Sequence, residues 1–347
     1  MDLSYYFKLA IDKKASDLHL VEGSAPSLRI ASELVKIEEE SIPFGELKYA
    51  VYNSLDKDTK ERFKQEKDLD LSLEFHGSRF RVNLHFQEGR VGLSARLVPM
   101  QIPRPEEIDC NETIYKLTHL RDGLILVAGP SGVGKSTTLA VMIDIINTER
   151  RAHIVTIEDP IEYTFQDKQS IIEQRQLGRD TKSFAIALRS ALRQDPNVIM
   201  VGEMRDLETI NAALTAAKTG HLVLSTLHTS SAAETIERIV DYYPVQNQQQ
   251  IANQLSTVLR AVICQQLLPR ANGGLVAARE IMINNNAIAN LIKHGQTEQI
   301  QSVIQTSRAE GMITMNQYID ELLTKGIISQ QVARNRKRDL ETKAVYY

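Results

Sequence analysis

The stretch GPSGVGKS at residues 129–136 decides the fold of this chain. It matches the phosphate-loop pattern G-x-x-x-x-G-K-[ST] at every fixed position. An apolar, strand-forming segment at 124–127 runs into it, and a helix-forming segment at 137–143 runs out of it. The motif requires this strand–loop–helix context, so the sequence predicts a bound nucleotide, ATP or a close relative.

The residue types of this loop explain how it would hold phosphate. Glycines let the backbone curl until several N–H groups point at one anion, and the following helix N-terminus adds the positive end of its dipole. We expect the Lys135 ammonium to bridge the β- and γ-phosphates and the Ser136 hydroxyl to hold Mg²⁺. The residues expected to contact the nucleotide are Gly129, Ser131, Gly132, Val133, Gly134, Lys135, Ser136 and Thr137.

Composition restricts the class of protein. The 347 residues leave room for two domains or more, and 42% hydrophobic with 24% charged residues is typical of a globular chain with a sizeable core. A net charge of −3, no tryptophan and 5% aromatic residues argue against a nucleic-acid partner. We interpret the basic cluster at 334–338 as a solvated helix end.

Cysteine spacing and hydropathy bear on location. Cys110 and Cys264 are far apart in sequence and make neither a disulfide framework nor a four-ligand zinc site. No apolar run approaches the ~20 residues that span a bilayer, and the first residues lack the pattern of a signal peptide. The sequence therefore predicts a cytoplasmic protein that meets a membrane only through a partner.

The chain changes its pattern near residue 100. Before it, helical spacing alternates with period-two strands, which indicates a small α+β domain over residues 1–98. Pro99, Pro103 and Pro105 mark a linker over residues 99–112.

Continuous apolar runs alternate with helical segments in the rest of the chain, residues 113–347. This alternation is typical of an α/β domain with a parallel sheet covered on both faces. Beyond Ala232 the pattern predicts mostly helix, with one strand at 275–283. The strands expected before it are at 124–127, 153–157, 198–201 and 221–225.

Acidic residues follow two of these predicted strands. Glu203 ends the run VIMVGE, and in phosphate-loop ATPases the acid at this place addresses Mg²⁺ or the attacking water. Gly202 stands where an aspartate usually precedes the glutamate, so a metal-binding carboxylate must come from elsewhere. Glu158, Asp159 and Glu162 follow another strand and offer oxygen ligands, and which acid does what stays open here.

Histidines and arginines complete the candidate chemistry. His221 and His228 lie at the two ends of one apolar run, where spacing alone leaves a γ-phosphate sensor and a structural role equally open. Phosphoryl transfer also needs cationic charge, often an arginine from another domain or subunit. Arg81, Arg96 and Arg121 are available, and composition does not decide whether they reach a site.

Five segments besides the phosphate loop carry a family resemblance: ASDLHL at 15–20, TIEDPIEY at 156–163, ALRSALRQDP at 187–196, GEMRDLET at 202–209 and TGHLVLSTLHT at 219–229. Taken together, these segments resemble the secretion-type ATPases, and within them the type IV pilus retraction, or twitching-motility, ATPases. The similarity covers nearly the whole chain. It implies a RecA-like parallel-sheet ATPase domain preceded by a smaller PAS-like domain, assembled into a hexameric ring with nucleotide between the two domains.

The resemblance also implies roles for the acids and histidines. Glu203 would orient or deprotonate the attacking water, with Glu162 as second choice. Glu158 and Asp159 would support the metal held by Ser136. The histidines His221 and His228 would line the γ-phosphate side of the site.

Among the arginines, Arg81 and Arg96 fall at positions that resemble the charge-stabilising arginines of the family. Arg121 is displaced by one residue from the third such position, where Asp122 stands. In AIANLI at 287–292, Ala289 stands where the retraction ATPases usually have arginine, which suggests a divergent or accessory retraction motor.

The resemblance implies ATP hydrolysis that powers pilus retraction, against an inner-membrane platform protein and together with other pilus ATPases. A pilus assembly or type II secretion ATPase is the nearest alternative. Those enzymes usually carry an extra N-terminal domain and a four-cysteine metal-binding insertion, which two cysteines do not provide. A non-hydrolysing nucleotide switch and a DNA translocase are the more distant alternatives.

Overall fold

The computed structural model describes residues 1–30, 33–37, 40–98 and 101–337. Pro99 of the predicted linker and Arg338 of the basic cluster therefore lie outside the described residues. The chain forms two compact units, one containing residues 1–101 with Glu162–Thr164, the other containing the rest. Among the described residues, no helix has the length and apolar character needed to cross a bilayer.

The N-terminal unit is a six-stranded antiparallel sheet with helices packed on one face. The strand order is β3-β2-β1-β6-β5-β4. Its elements are α1 (Leu3–Asp12), β1 (Asp17–Val21), β2 (Ser27–Ile30), β3 (Glu33–Lys36), α2 (Glu46–Ser54), α3 (Lys57–Glu66), β4 (Asp68–Phe75), β5 (Ser78–Gln87) and β6 (Arg90–Val98). Alternation along the strands sends apolar side chains to one face, where they form a core around Phe7, Phe63 and Phe80.

One predicted helix of this unit is two. The helical spacing from Phe44 to Gln65 suggests a single helix, but α2 ends at Ser54 and α3 begins at Lys57. The Asp56 carboxylate accepts hydrogen bonds from the backbone N–H groups of Asp58 and Thr59, which caps the second helix. A side chain that satisfies those N–H groups from outside the helix favours a new start at this point.

A row of charged residues crosses the opposite, polar face of the sheet. Register places Asp17 beside Arg29 and Arg96, and Arg96 directly opposite Arg81. The buried Asp17 carboxylate accepts a hydrogen bond from Arg96 Nε at 2.8 Å and lies 3.8 Å from Arg29 Nε. Burial alone raises the pKa of Asp17, but hydrogen bonds from Arg96 and Ser16 outweigh it and hold the pKa below its ordinary value.

The second unit is built on a seven-stranded sheet of order β13-β12-β7-β11-β10-β8-β9. All neighbours are parallel except the pair that β13 forms with β12. Its elements are α4 (Glu112–Thr118), β7 (Gly123–Ala128), α5 (Lys135–Glu149), β8 (His153–Glu158), β9 (Ile171–Gln176), α6 (Phe184–Ala191), β10 (Val198–Val201), α7 (Leu207–Lys218), β11 (Leu222–Leu227), α8 (Ala232–Asp241), α9 (Val245–Val258), β12 (Leu259–Pro269), β13 (Leu275–Ile283), α10 (Asn286–Lys293), α11 (Ile300–Thr306), α12 (Met315–Thr324) and α13 (Gln330–Arg336).

Both faces of this sheet are buried. All six residues of β7 are buried, and they alternate between two cores: Leu124 and Leu126 in one, Ile125 and Val127 in the other. A strand covered by helices on both sides needs apolar residues at every position, which is the pattern seen in the sequence. The α/β class and the parallel sheet are therefore confirmed, whereas the domain boundaries at 98 and 113 stay a prediction.

The sequence pattern missed β12. Its segment was expected to be helical, yet it is an eleven-residue strand lying parallel to β7 and antiparallel to β13. Most of its residues are buried, so they are apolar without the two-residue alternation that identifies a half-exposed strand. A short apolar run of this kind does not distinguish a strand from a buried helix.

The pairing of Asp17 with Arg96 makes a prediction for the variant Asp17→Asn. We expect this change to lower the free energy of unfolding of the full chain at pH 7 by about 1 kcal/mol, because a charge-assisted hydrogen bond is lost. Since the folded-state pKa lies below the ordinary value, the wild-type advantage exists above the ordinary carboxyl pKa. It disappears as the pH falls through the lowered folded-state value.

Urea unfolding measured from pH 7 into the acid range tests this prediction. The matched control is Asp12→Asn, which makes the same change at an exposed position and should behave as wild type. A difference for Asp17→Asn that stays constant across the pH range would contradict the ion-pair explanation.

Candidate nucleotide-binding and hydrolysis site

The carboxyl ends of four neighbouring parallel strands bring the predicted site residues to one edge of the sheet. The phosphate loop follows β7, His228 follows β11, Gly202 and Glu203 follow β10, and Glu158 is the last residue of β8. Because parallel strands end on the same side, the loops that follow them share one crevice, where α/β proteins bind ligands.

The phosphate loop has the backbone that the motif predicts. Gly134 adopts a left-handed φ of 84° as the N-cap of α5, a conformation that residues with a Cβ rarely adopt. At Gly129 an added Cβ would lie 2.6 Å from the backbone oxygen of Gln265. Only glycine therefore allows the loop backbone to lie this close to the backbone of β12. These glycines therefore set the curl of the loop and the start of the helix that follows it.

Lys135 is folded over this loop. Its side chain is largely buried, and Nζ donates hydrogen bonds to the carbonyl oxygens of Gly129 at 2.6 Å and Pro130 at 3.0 Å. The Lys135 ammonium is thus held over the loop that leads into the N-terminus of a fifteen-residue helix. Both features attract a polyphosphate, so the residues present fit a nucleotide.

Among the other loop residues, Ser131 and Gly132 form the exposed outer turn, whereas Val133 is buried. Ser136 and Thr137 are half-buried in the first turn of α5. All predicted contact residues therefore belong to one continuous loop and helix start, and their contacts with nucleotide stay a prediction.

Gln265 is a neighbour of the loop that sequence reasoning missed. It lies on β12 and is almost fully buried. Its Nε2 donates a hydrogen bond to the Val133 carbonyl at 2.6 Å, and its Oε1 accepts one from Thr138 Oγ1 at 2.9 Å. The available signal was a pair of polar residues, Gln265 and Gln266, inside an otherwise apolar run.

Glu203 lies at the end of β10 between two cationic or hydrogen-bonding groups. It is 9% exposed, one carboxylate oxygen is paired with Arg205 Nε, and the other lies 3.3 Å from His228 Nε2. The backbone beside it is also fixed, since Thr226 Oγ1 donates to the Gly202 carbonyl at 2.6 Å. The structure therefore brings Glu203 and His228 together, as their predicted roles require.

Glu158 and Asp159 are at the end of β8. Glu158 is buried and its Oε1 accepts hydrogen bonds from Thr156 Oγ1 at 2.6 Å and Gln174 Nε2 at 3.1 Å. Within the described ranges, no group of three or more His, Cys, Asp or Glu side chains could hold a metal by itself. An Mg²⁺ ion here would depend on the Ser136 hydroxyl and on phosphate oxygens, with an acid acting through water.

His221 and His228 lie at opposite ends of β11. His221 precedes β11 whereas His228 follows it, so the strand separates them by roughly 20 Å at about 3.3 Å per residue. At the far end of the sheet, His221 Nδ1 is within hydrogen-bond distance of the Ala216 carbonyl. His221 therefore lies at the end of β11 away from the phosphate loop of its own chain, and its γ-phosphate role stays a prediction.

Three predicted residues belong to the N-terminal unit. Arg81 and Arg96 lie on its polar face, with 46% and 72% of their side chains exposed. Glu162 belongs to the short segment 162–164 of the same unit and is exposed. In the second unit, Asp122, which stands at the third arginine position of the family, is paired with Arg260 at 2.5 Å. The catalytic roles of Arg81, Arg96 and Glu162 stay predictions.

Comparison with known proteins supports this assignment. The family model of the Type II/IV secretion system proteins matches residues 3–344. The chain is 42% identical over 339 residues, 97% of its length, to the type IV pilus retraction ATPase PilT of Pseudomonas aeruginosa, of which it covers 98%. It is 44% identical over 320 residues, 91% of its length, to a twitching motility protein of Neisseria gonorrhoeae, of which it covers 85%.

A solved structure agrees with both relatives. The crystal structure of the pilus retraction motor PilT with bound ADP superimposes with a TM-score of 0.92 at 42% identity, covering 98% of each chain. The resemblance read from the sequence motifs is thus confirmed, and the phosphate loop marks a nucleotide-binding protein. This chain belongs to the Type II/IV secretion system protein family.

Proposed function

We propose that this protein is an ATP-hydrolysing motor of the pilus retraction type. The observation that carries the proposal is end-to-end similarity to a retraction ATPase, 97% of this chain against 98% of that one, together with an intact phosphate loop at the same sheet edge as Glu203. The retraction relatives match 97% and 91% of this chain.

The residues around the loop support a hydrolytic mechanism. Lys135 and the loop N–H groups would hold the phosphates, and Ser136 would be a ligand of Mg²⁺, which supplies charge neutralisation when bound. Glu203 would accept a proton from water. The water oxygen then bonds to the γ-phosphorus while the bond from that phosphorus to the β–γ bridging oxygen breaks.

The contacts of Glu203 explain how one side chain can do this. Each carboxylate oxygen can accept more than one hydrogen bond, so pairing with Arg205 and His228 still leaves room for water. These two neighbours fix the orientation of the carboxylate on a rigid strand end. A binding module without hydrolysis has no need for such an arrangement, which disfavours the nucleotide switch.

The arginines of the N-terminal unit suggest a shared site. Arg96 is held by Asp17 on a sheet face that carries Arg81 in the same row, and phosphoryl transfer uses cations supplied by another domain or subunit. We therefore propose a hexameric ring in which ATP closes the N-terminal unit of one subunit onto the second unit of its neighbour, and hydrolysis reopens the pair.

The partner of this ring would be a platform protein at the inner membrane, with other pilus ATPases as further partners. Because the motor is proposed to reach the membrane only through that protein, it would act on the cytoplasmic side. A DNA translocase would need a basic binding surface, and the net charge of −3 does not favour it. Ala289 would make coupling to retraction differ from that of the usual family members.

The variant Glu203→Gln tests the catalytic carboxylate. We expect its steady-state phosphate release to fall by about 10²–10⁴-fold, because the amide cannot accept the proton of water, while ADP binding stays unchanged. The control Glu208→Gln makes the same change at an exposed residue on α7 and should leave turnover intact. Undiminished turnover in both Glu203→Gln and Glu162→Gln would contradict the assignment.

Mixed rings test whether the site is shared between subunits. Lys135→Ala and Arg96→Ala chains should each be inactive alone, since one loses the phosphate contact and the other the stabilising cation. In a mixture, some interfaces combine an intact loop with an intact arginine, so we expect ATP hydrolysis to return. An ATPase rate of the mixture no higher than the added rates of the two separate variants would count against a shared site.

Deletion of the gene tests the direction of force. Loss of a retraction motor should leave cells with excess surface pili and without twitching movement, because pili extend but are not withdrawn. Counting pili by electron microscopy alongside a surface-motility assay makes the measurement, and complementation with the wild-type gene is the control. Cells without pili would instead indicate an assembly motor.

A further inference from the structure

We propose that Gln265 is a positioning residue for the phosphate loop, one that aims the loop N–H groups from the neighbouring strand. This inference rests on the proposed binding of nucleotide at the loop. Gln265 is 1% exposed and lies on β12, outside all the segments that carry the family resemblance. Its side chain and its backbone both contact the loop.

The side-chain amide has a defined orientation. The Val133 carbonyl can only accept a hydrogen bond, so the atom facing it at 2.6 Å must be the Nε2 donor. This leaves Oε1 to accept from Thr138 Oγ1 at 2.9 Å. Both hydrogen bonds are buried, and removing either partner leaves a buried polar group unpaired, which is costly.

The backbone of Gln265 lies against the start of the loop. Strand register pairs Cys264 with Ala128, so the next residue of β12 lies beside Gly129. A Cβ on Gly129 would lie only 2.6 Å from the Gln265 oxygen. One residue of β12 therefore contacts the beginning of the loop at Gly129, its middle at Val133 and the first turn of α5 at Thr138.

The contact with Val133 has a consequence for the loop N–H groups. A trans peptide is planar, so its carbonyl oxygen and the N–H of the next residue point in opposite directions. Holding the Val133 oxygen toward β12 thus turns the Gly134 N–H away from β12. Gly134 has a left-handed φ of 84° and permits several conformations, so an external hydrogen bond is needed to select one.

The variant Gln265→Met tests this role because it keeps the side-chain volume but removes both hydrogen bonds. We expect the Kd for the fluorescent nucleotide mant-ADP to rise by about 10–100-fold, the usual cost of misplacing a binding group through its support. The KM for ATP should rise in parallel. Gln266→Met is the matched control, since the next residue along a strand points to the opposite face, and it should bind as wild type.

The partner hydroxyl provides an independent variant. Thr138→Val removes the hydrogen bond to Oε1 and should also weaken mant-ADP binding, whereas Thr138→Ser keeps the hydroxyl and should restore it. In the double variant Gln265→Met/Thr138→Val the losses should be less than additive, because both changes break one network. If Gln265→Met does not fold, the comparison of Thr138→Val with Thr138→Ser decides whether the hydrogen-bond network supports nucleotide binding.

A purely structural role gives a different result. It would lower the melting temperature of the nucleotide-free protein in Gln265→Met and Thr138→Val while leaving the mant-ADP Kd within twofold of wild type, and that outcome overturns the inference. If the wild-type protein itself neither binds mant-ADP nor hydrolyses ATP, the proposed function fails instead. The two failures are therefore distinguishable in one set of titrations.

Discussion

The curl of the backbone between β7 and α5 is the constraint on which the rest of the site depends. Gly129 must approach β12 without a Cβ, and Gly134 must take a left-handed conformation for α5 to begin. The loop then presents Lys135 and the positive end of a long helix on the same side of the sheet. The buried strands β7 and β12 support this arrangement, because β7 fixes where the loop starts and β12 lies against Gly129.

The parallel sheet explains why distant sequence segments act together. Glu203 and His228 are separated by twenty-five positions in the chain, yet the carboxylate oxygen and Nε2 lie 3.3 Å apart because β10 and β11 are parallel neighbours. Their strand ends are joined further by the Ser225 hydroxyl, which donates to the Val201 carbonyl at 2.8 Å. The two strand ends are therefore held together by hydrogen bonds as well as by strand pairing.

The sequence could predict the parts of the fold that carry strong local patterns. The phosphate loop and the apolar strands β7, β8, β10 and β11 followed from motif and periodicity, whereas the γ-phosphate role expected of His228 came from the family resemblance. It could not predict β12, whose mostly buried residues lack the two-residue alternation, nor the contacts of Gln265, whose partners are more than a hundred residues away in sequence. The motif also did not show that a whole strand separates His221 from His228, and the γ-phosphate role of His221 stays a prediction.

The polar face of the N-terminal unit carries two exposed arginines, Arg96 and Arg81. Asp17 is buried while Arg96 is mostly exposed, so the carboxylate fixes the base of the guanidinium and leaves its outer N–H groups available. Arg81 stands in the same row, and its Nη2 lies 4.0 Å from Asp70 Oδ2. Phosphoryl transfer needs a cation for the charge that develops on the bridging oxygen. Under the proposed function, the exposed arginines of the N-terminal unit would supply that cation, so charge stabilisation would depend on domain closure.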